Sequence, residues 1–240
     1  MRTELIPNAP MHLTIWRNAP RTVPLNIIAV ITGGLALDSA FGWPGQIAAI
    51  IWTFAVFVWL YRLGGVEEKR VMISCTLIAG AGELFLSLVW GLYDYQFLNV
   101  PLFVPPGHAL LMTLGLVCAR RLSNLGMWAI SLAATAWAVY AWIAGFDRFG
   151  VVLFGIYAFC MFTSGARTLY ATMFVAALTM ELYGTALGNW AWRPIAPWTD
   201  LTSANPPFSA GAFYCMLDLL VLAAMRGWAK RAGQVQVGGE

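Results

Sequence analysis

Charge is what this chain has least of. Asp, Glu, Lys and Arg make up 10% of its 240 residues and histidine occurs twice, whereas about a quarter of a soluble domain is charged. So little charge cannot coat a surface facing water, and with 60% of the residues hydrophobic the chain reads as an integral membrane protein. Other absences narrow the chemistry. There is no GxxxxGK[ST] phosphate loop and no strand–GxGxxG–helix unit, which excludes those nucleotide-binding classes. No GxSxG elbow occurs, and Ser164, Ser203 and Ser209 have no adjacent histidine, which excludes a hydrolase of that type. With two histidines and no HxxxH or ExxH spacing, no metal site is expected, whether zinc or membrane di-iron. Aspartate-rich magnesium motifs are missing, and no lysine stands in an apolar run to carry retinal. The cysteines Cys75, Cys118, Cys160 and Cys215 form no CxxC and all lie in apolar sequence. They read as small buried hydrophobes, not as a disulfide framework. The basic residues form no cluster with interleaved aromatics, so nucleic acid is not an expected partner. No cofactor is expected.

Long apolar runs are what the sequence does have. They predict an all-α membrane protein of about eight transmembrane helices, at residues 24–41, 45–62, 71–90, 102–119, 125–145, 149–164, 168–188 and 208–226, each near the roughly 20 residues a span requires. An even number of spans puts both termini on one side. That side then collects twelve of the fourteen Lys and Arg residues, leaving only Arg148 and Arg193 opposite. Basic loops are cytoplasmic, so both termini are expected in the cytoplasm, with a bacterial inner membrane as the location. The first twenty residues contain no continuous apolar run, which predicts no cleavable signal peptide and an interfacial segment anchored by Trp16.

The opposite side carries two aromatic loops, WGLYDYQFLNV at 90–100 and GNWAWRPIAPWTDLTSANPP at 188–207. An aromatic belt is one reading. The second loop is long and stiffened by Pro194, Pro197, Pro206 and Pro207, which suits a lid or a docking rim. Laying Glu83 on Glu181 exposes a repeat. Each glutamate is followed by Leu, an aromatic residue and, four positions on, a hydroxyl residue, Ser87 or Thr185. Glycines and aromatics come next, then a double proline, Pro105-Pro106 or Pro206-Pro207. The offset is 98 residues at the glutamates and 101 at the prolines. The chain therefore divides into an interfacial segment 1–23, a four-helix repeat 24–122, a second four-helix repeat 123–227 and a cytoplasmic tail 228–240. An even number of spans per unit makes the repeats parallel.

Such a repeat brings Glu83 and Glu181 to opposite walls of one central cavity. A charged side chain within a span costs roughly 3 kcal/mol on insertion scales, so Glu83, Glu181 and Asp218 should face the bundle interior. Burial favours the neutral acid, which can donate a proton. The alternative is that each carboxyl hydrogen-bonds a neighbouring helix and sets packing. His108 follows Pro-Pro-Gly at the start of its span, where it can serve as an acid–base or hydrogen-bonding group, or as a satisfied structural histidine.

Glu83 with Gly91, Tyr93 and Tyr95, and Glu181 with Gly184, Gly188, Trp190 and Trp192, form a pattern that resembles membrane proteins of carotenoid biosynthesis, the hydratase and lycopene-cyclase-like group. The resemblance covers residues 83–111 and 181–218. The segments PPGH at 105–108 and NPP at 205–207, and Asp218, have no counterpart assigned in that group. The resemblance implies cofactor-free chemistry in which a carboxylic acid protonates an isoprenoid double bond. On this resemblance the carbocation is captured by water or a second alkene, and the aromatic faces of Trp90, Tyr93, Tyr95, Trp190 and Trp192 stabilise it. A second carboxylate, the other glutamate or Asp218, takes a proton back, and these aromatics with Asn205 are the expected substrate contacts. Two other classes stay open. One is a small-solute transporter with carboxylates at a repeat interface. The other is a non-catalytic subunit of a larger complex, partnered by another membrane protein or a second copy through its aromatic face. The expected ligand on the enzyme reading is a membrane lipid or other apolar small molecule.

Overall fold

Every apolar run is a helix. The computed structural model describes residues 11–237. A single turn, α1 (Met11–Thr14), precedes eight helices of 16 to 27 residues: α2 (Thr22–Phe41), α3 (Trp43–Leu63), α4 (Val66–Glu83), α5 (Val104–Ala119), α6 (Asn124–Ala144), α7 (Arg148–Thr163), α8 (Arg167–Leu187) and α9 (Gly211–Val237). Among the described residues, five helices are long and apolar enough to cross a membrane: α2, α3, α4 with an extension to Val89, α6, and α9 as far as Trp228. α5 and α7 are apolar but have 16 residues each, roughly 24 Å of helix against about 30 Å of hydrocarbon. α8 has the length, but Thr168, Thr172, Thr179, Thr185 and Glu181 dilute its apolarity. The expected eight spans thus meet eight helices, of which five have the length and composition of a span.

Two boundaries differ from expectation. α4 begins at Val66 because Glu67 and Glu68 suit the positive end of a helix. α9 continues through the expected tail to Val237. The first ten residues of the expected interfacial segment lie outside the described residues. Trp16 is not the interfacial anchor expected of it. It is 4% exposed, its backbone N–H donates to Glu68 Oε1 at 3.1 Å, and Arg120 donates to the carbonyls of Ile15 and Trp16 at 3.1 and 2.7 Å. The carboxylate and guanidinium stitch this segment to the helix ends instead of leaving it to lipid.

Four helices form a closed ring: α4 packs on α5, α5 on α8, α8 on α9 and α9 back on α4. The hairpin α2–α3 lies against α5 and α8, and the hairpin α6–α7 against α8 and α9. In lipid, helices associate through close packing of small residues. On α4, Ala79 is buried and Gly80 faces Pro105 of α5, where an added Cβ would lie in van der Waals contact at 3.7 Å.

A two-stranded ribbon crosses one end of the ring. β1 (Tyr93–Tyr95) pairs antiparallel with β2 (Trp190–Trp192), Tyr93 opposite Trp192 and Tyr95 opposite Trp190. Each strand is reached through a left-handed glycine, Gly91 at φ 72° and Gly188 at φ 79°, a backbone state only glycine adopts freely. Strand side chains alternate between faces, so the four aromatics are buried against the ring while Asp94 and Ala191 point away. The chain between α4 and β1 is a π-helical segment, Leu84–Val89, closed by Trp90 N–H donating to the Phe85 carbonyl at 2.7 Å.

Two buried aspartates fasten the loops. Asp38, near the end of α2, accepts from Gln46 Nε2 at 3.1 Å and from Asn189 Nδ2 at 2.8 Å. Asp147 caps α7 by accepting from Gly150 N and also takes the N–H groups of Ala204 and Phe208 at 3.1 and 2.9 Å. The 188–207 loop, expected as a lid or rim, is therefore pinned onto the α6–α7 turn.

Candidate functional site

Glu83 and Glu181 come from ring helices α4 and α8, and the ribbon reaches down to both. Glu83 Oε2 accepts from the Tyr93 and Tyr95 hydroxyls at 2.7 and 2.8 Å. Glu83 Oε1 lies 2.8 Å from His108 Nε2, on α5. Glu181 Oε2 accepts from the indole N–H groups of Trp190 and Trp192 at 2.8 and 3.1 Å, and Glu181 Oε1 accepts from the Tyr214 hydroxyl, on α9, at 2.9 Å. In each case the second oxygen is held by the strand that follows the same helix. The first oxygen is held by the next helix. Both glutamates are buried, and three donors each offset a burial that would otherwise cost several kcal/mol.

The spacing between glutamate and strand differs by one residue: Tyr93 is ten positions after Glu83, and Trp190 nine after Glu181. A π-helical turn holds one residue more than the α-helix it interrupts. The segment Leu84–Val89 absorbs that extra residue, so both strands arrive in the same phase. On the α8 side, space is made by deletion of a side chain instead. A Cβ on Gly184 would fall 2.0 Å from the Trp190 ring, so only glycine lets that indole fold back onto Glu181.

The rings themselves pack as a cluster. Tyr93 and Trp192 centroids are 4.8 Å apart, Tyr93 and Tyr95 5.7 Å, and Tyr95 and Trp190 6.0 Å. His108 stacks on Tyr214 at 4.8 Å and 24°, linking the third partner of one glutamate to the third partner of the other. His108 Nδ1 is buried without a hydrogen-bond partner among the described residues. Tyr93 and Tyr95 stay protonated well above the ordinary phenol range, because burial disfavours the phenolate and the Glu83 carboxylate opposes a second negative charge. They are therefore dependable donors.

Two cavities meet at these groups. Glu83, Glu181, His108, Tyr93 and Tyr214 line both. The first, about 60 Å³, lies between α5 and α8 and is roofed by the α2–α3 hairpin through Val30, Gly34 and Thr53. The second, about 180 Å³, lies between α4 and α9. A third cavity, about 340 Å³, is lined by His12, Asn124, Trp128 and Arg167 at the other end of the molecule and shares no residue with these two.

Of the residues singled out from the sequence, Glu83, Glu181, His108, Tyr93, Tyr95, Trp190 and Trp192 are brought together. Three are not. Trp90 donates its indole N–H to the Pro197 carbonyl at 2.9 Å and stacks on Trp198 at 5.5 Å, holding the long loop. Asn205 accepts from Trp192 N at 2.9 Å and lines neither cavity. Asp218 is fully buried one turn beyond Tyr214, also away from both cavities, and neither of its oxygens has a hydrogen-bond partner among the described residues. Sequence reasoning missed Tyr214, which sits in an aromatic run, FYCMLD, where only Asp218 drew notice. It also missed Asn189 and Asp147 as loop anchors. Among the described residues no group of His, Cys, Asp and Glu is placed to hold a metal ion. Comparison with protein families, curated proteins and solved structures gave no match.

Proposed function

We propose that this protein is an integral membrane enzyme that uses its buried carboxyl groups for acid–base chemistry, by protonation followed by cyclisation or hydration, on an apolar isoprenoid-like lipid. The observation that carries the reading is a pair of glutamates, each held by three donors, facing shared cavities walled by aromatic and aliphatic side chains. The donor sets divide the roles. Glu181 has no cation among its partners, and its Oε2 is occupied by two indole N–H groups that can only donate. Its proton therefore rides on Oε1, beside Tyr214, and Glu181 is the acid. Glu83 has an imidazole and two phenols and is the base. The proton leaves Glu181 Oε1 for one carbon of a double bond, whose π pair forms the new C–H bond. The cation left on the other carbon is stabilised by the ring faces. A second alkene or water then supplies the electron pair, and the proton released goes to Glu83 and His108. Each turnover moves one proton from Glu181 to the Glu83–His108 pair, and the groups re-equilibrate across the cavities they share.

The same reading takes the chain as eight spans in two parallel four-helix repeats, with both termini cytoplasmic. The matching donor sets, the pairing of β1 with β2 and the uneven distribution of Lys and Arg over the loops of the sequence support it. The transporter reading is less well served. Leu110, Met112, Leu116, Leu169 and Met173 on α5 and α8 are all buried and leave no polar stripe running from the glutamates toward the far end.

The test is a mass-spectrometric lipid inventory of gently purified protein, wild type beside Glu181→Gln. An isoprenoid converted by wild type and left unchanged by the variant is the expected result. Bulk phospholipid alone in both, with a companion protein retained on purification, would overturn the enzyme reading in favour of a complex subunit.

A further inference from the structure

The cavity farthest from the glutamates has no part in the chemistry above. It measures about 340 Å³ and lies between the single turn α1 and the starts of two long helices. Asn124 and Met127 come from the first turn of α6, and Gly165, Arg167 and Thr168 from the start of α8. The first turn of a helix has N–H groups that its own carbonyls cannot satisfy, and they make it the positive end of the helix dipole. Two such ends meet at this one cleft. None of the described residues lining it is Asp or Glu.

A helix end by itself does not define a ligand, but two side chains here narrow the choice. Arg167 donates its Nε–H to the Met161 carbonyl, at the end of α7, at 3.0 Å. That bond fixes the guanidinium and leaves its terminal NH2 groups with no partner among the described residues. A guanidinium held in this way can grip two oxygens of one anion. His12 is 5% exposed, lines the same cleft and makes no hydrogen bond to any described residue. Burial of an unpaired imidazole is costly, and the cleft is where a partner can reach it. Burial first, and then the Arg226 guanidinium of α9, hold His12 below the ordinary histidine pKa; an anion in the cleft opposes both and favours the imidazolium. Counter-ions are scarce at this end. Among the described residues the ion pairs are His108 with Glu83 and Arg193 with Asp94, both at the ribbon end.

The setting points to the membrane boundary. Trp128, on the outer wall of the cleft, is exposed and belongs to α6, a helix with the length and composition of a span. We infer that this cleft binds a phosphate group, carried by a lipid headgroup or by a water-soluble phosphate compound, with Arg167 and His12 as its ligands and the first turns of α6 and α8 as its positive frame. A carboxylate has two oxygens to offer. A phosphate has enough to serve the guanidinium, the imidazole and the helix ends together. Roughly 20 Å of α8 separates Thr168 from Glu181, so the site stands apart from the glutamates and does not depend on their role.

The experiment uses the full chain, with isotope-labelled histidine, in dodecyl maltoside micelles at fixed ionic strength. The chain has two histidines, so His12→Gln assigns their NMR signals. One arm adds inorganic phosphate. The other mixes phosphatidic acid into the micelles, with diacylglycerol of the same acyl chains as the control that lacks phosphate. A saturable rise in the His12 pKa is expected with a phosphate-bearing probe and not with diacylglycerol. A response to phosphatidic acid alone assigns the cleft to a lipid headgroup. A response to inorganic phosphate, alone or as well, shows that the phosphate suffices without the lipid. Thr168→Glu and Asn124→Asp each put a carboxylate into the cleft at a helix end that favours acidic residues. Both variants should keep the wild-type unfolding midpoint and weaken binding about tenfold or more. They stand on different helices, so loss of fold in one leaves the other to decide. No saturable response to either phosphate-bearing probe, an equal response to diacylglycerol, or binding indifferent to the added carboxylates would overturn the inference.

Discussion

Glu83 and Glu181 occupy equivalent places in the ring, yet the groups that hold them are of different kinds. The strand beside Glu83 offers two phenols and the next helix an imidazole. The strand beside Glu181 offers two indoles and the next helix a phenol. Indole N–H groups neither titrate nor accept, so the Glu181 side can fix where a proton sits but cannot take it up. The imidazole on the Glu83 side can. Two glutamates held in the same way by a strand and a following helix thus differ in three side chains, and on the proposed reading those three make them unlike acid–base partners.

The comparison breaks most visibly in activity. Glu181→Gln is expected to lower conversion of the isoprenoid by about 10²- to 10⁴-fold, the usual contribution of a positioned general acid. Glu83→Gln, which leaves His108 in place, should lower it less. Equal losses in product formation by reconstituted protein would mean that the two sides do not differ in role. Stability gives a sharper contrast with a third carboxyl. Glu181→Leu strands two indole N–H groups and a hydroxyl, each costing about 1–3 kcal/mol. Asp218→Leu removes a buried polar group that has no partner among the described residues, and should leave stability unchanged or raise it by about 1–3 kcal/mol. The thermal unfolding midpoint in detergent should therefore fall for Glu181→Leu and hold steady or rise for Asp218→Leu. A loss at Asp218 matching that at Glu181 would show that Asp218 is held by something within the membrane.

The smallest effect concerns alkaline pH. The folded values of Tyr93 and Tyr95 lie above the ordinary tyrosine value, about 10. The stability they contribute is complete below that value and is lost as the pH rises from it through their folded values. Ultraviolet titration should find these two phenols ionising only as the protein unfolds, and Tyr93→Phe with Tyr95→Phe should remove that late component. Ionisation of all tyrosines in one early step would contradict the donor assignment.

Much of this was legible in the sequence because the membrane makes composition informative. Apolar runs of span length became helices. A glutamate inside such a run had to face inward, and the repeat of glycine and aromatic residues after each glutamate marked the two segments that meet there, although they were read as loops and their pairing as strands was not foreseen. The residues that escaped notice did so for definable reasons. Tyr214 is an aromatic among aromatics, and only its distance to Glu181 marks it out. Asp147 lies in a loop, where a carboxylate is unremarkable until the backbone folds three N–H groups onto it. Trp90 and Asn205 were placed at the site by proximity in sequence, but each is turned toward the long loop and holds it in position. Asp218 was grouped with the glutamates on burial alone, and burial does not say which cavity a side chain shares. The offset of 98 taken at the glutamates was one residue out for the strands, because hydrogen-bond phase inside a helix leaves no mark on hydrophobicity.

The wide turn at Leu84–Val89 bears on which insertions and deletions this chain can survive. Adding or removing one residue ahead of a strand normally turns its inner face outward, and in this protein that would swing Tyr93 and Tyr95 away from Glu83. A helix that can pass between the wide and the regular form takes up the difference before the strand begins. Deleting one residue from that segment should therefore yield the nine-residue spacing that already works beside Glu181. The segment after α4 is thus expected to accept a change of length at the point where the segment after α8 already carries the shorter form.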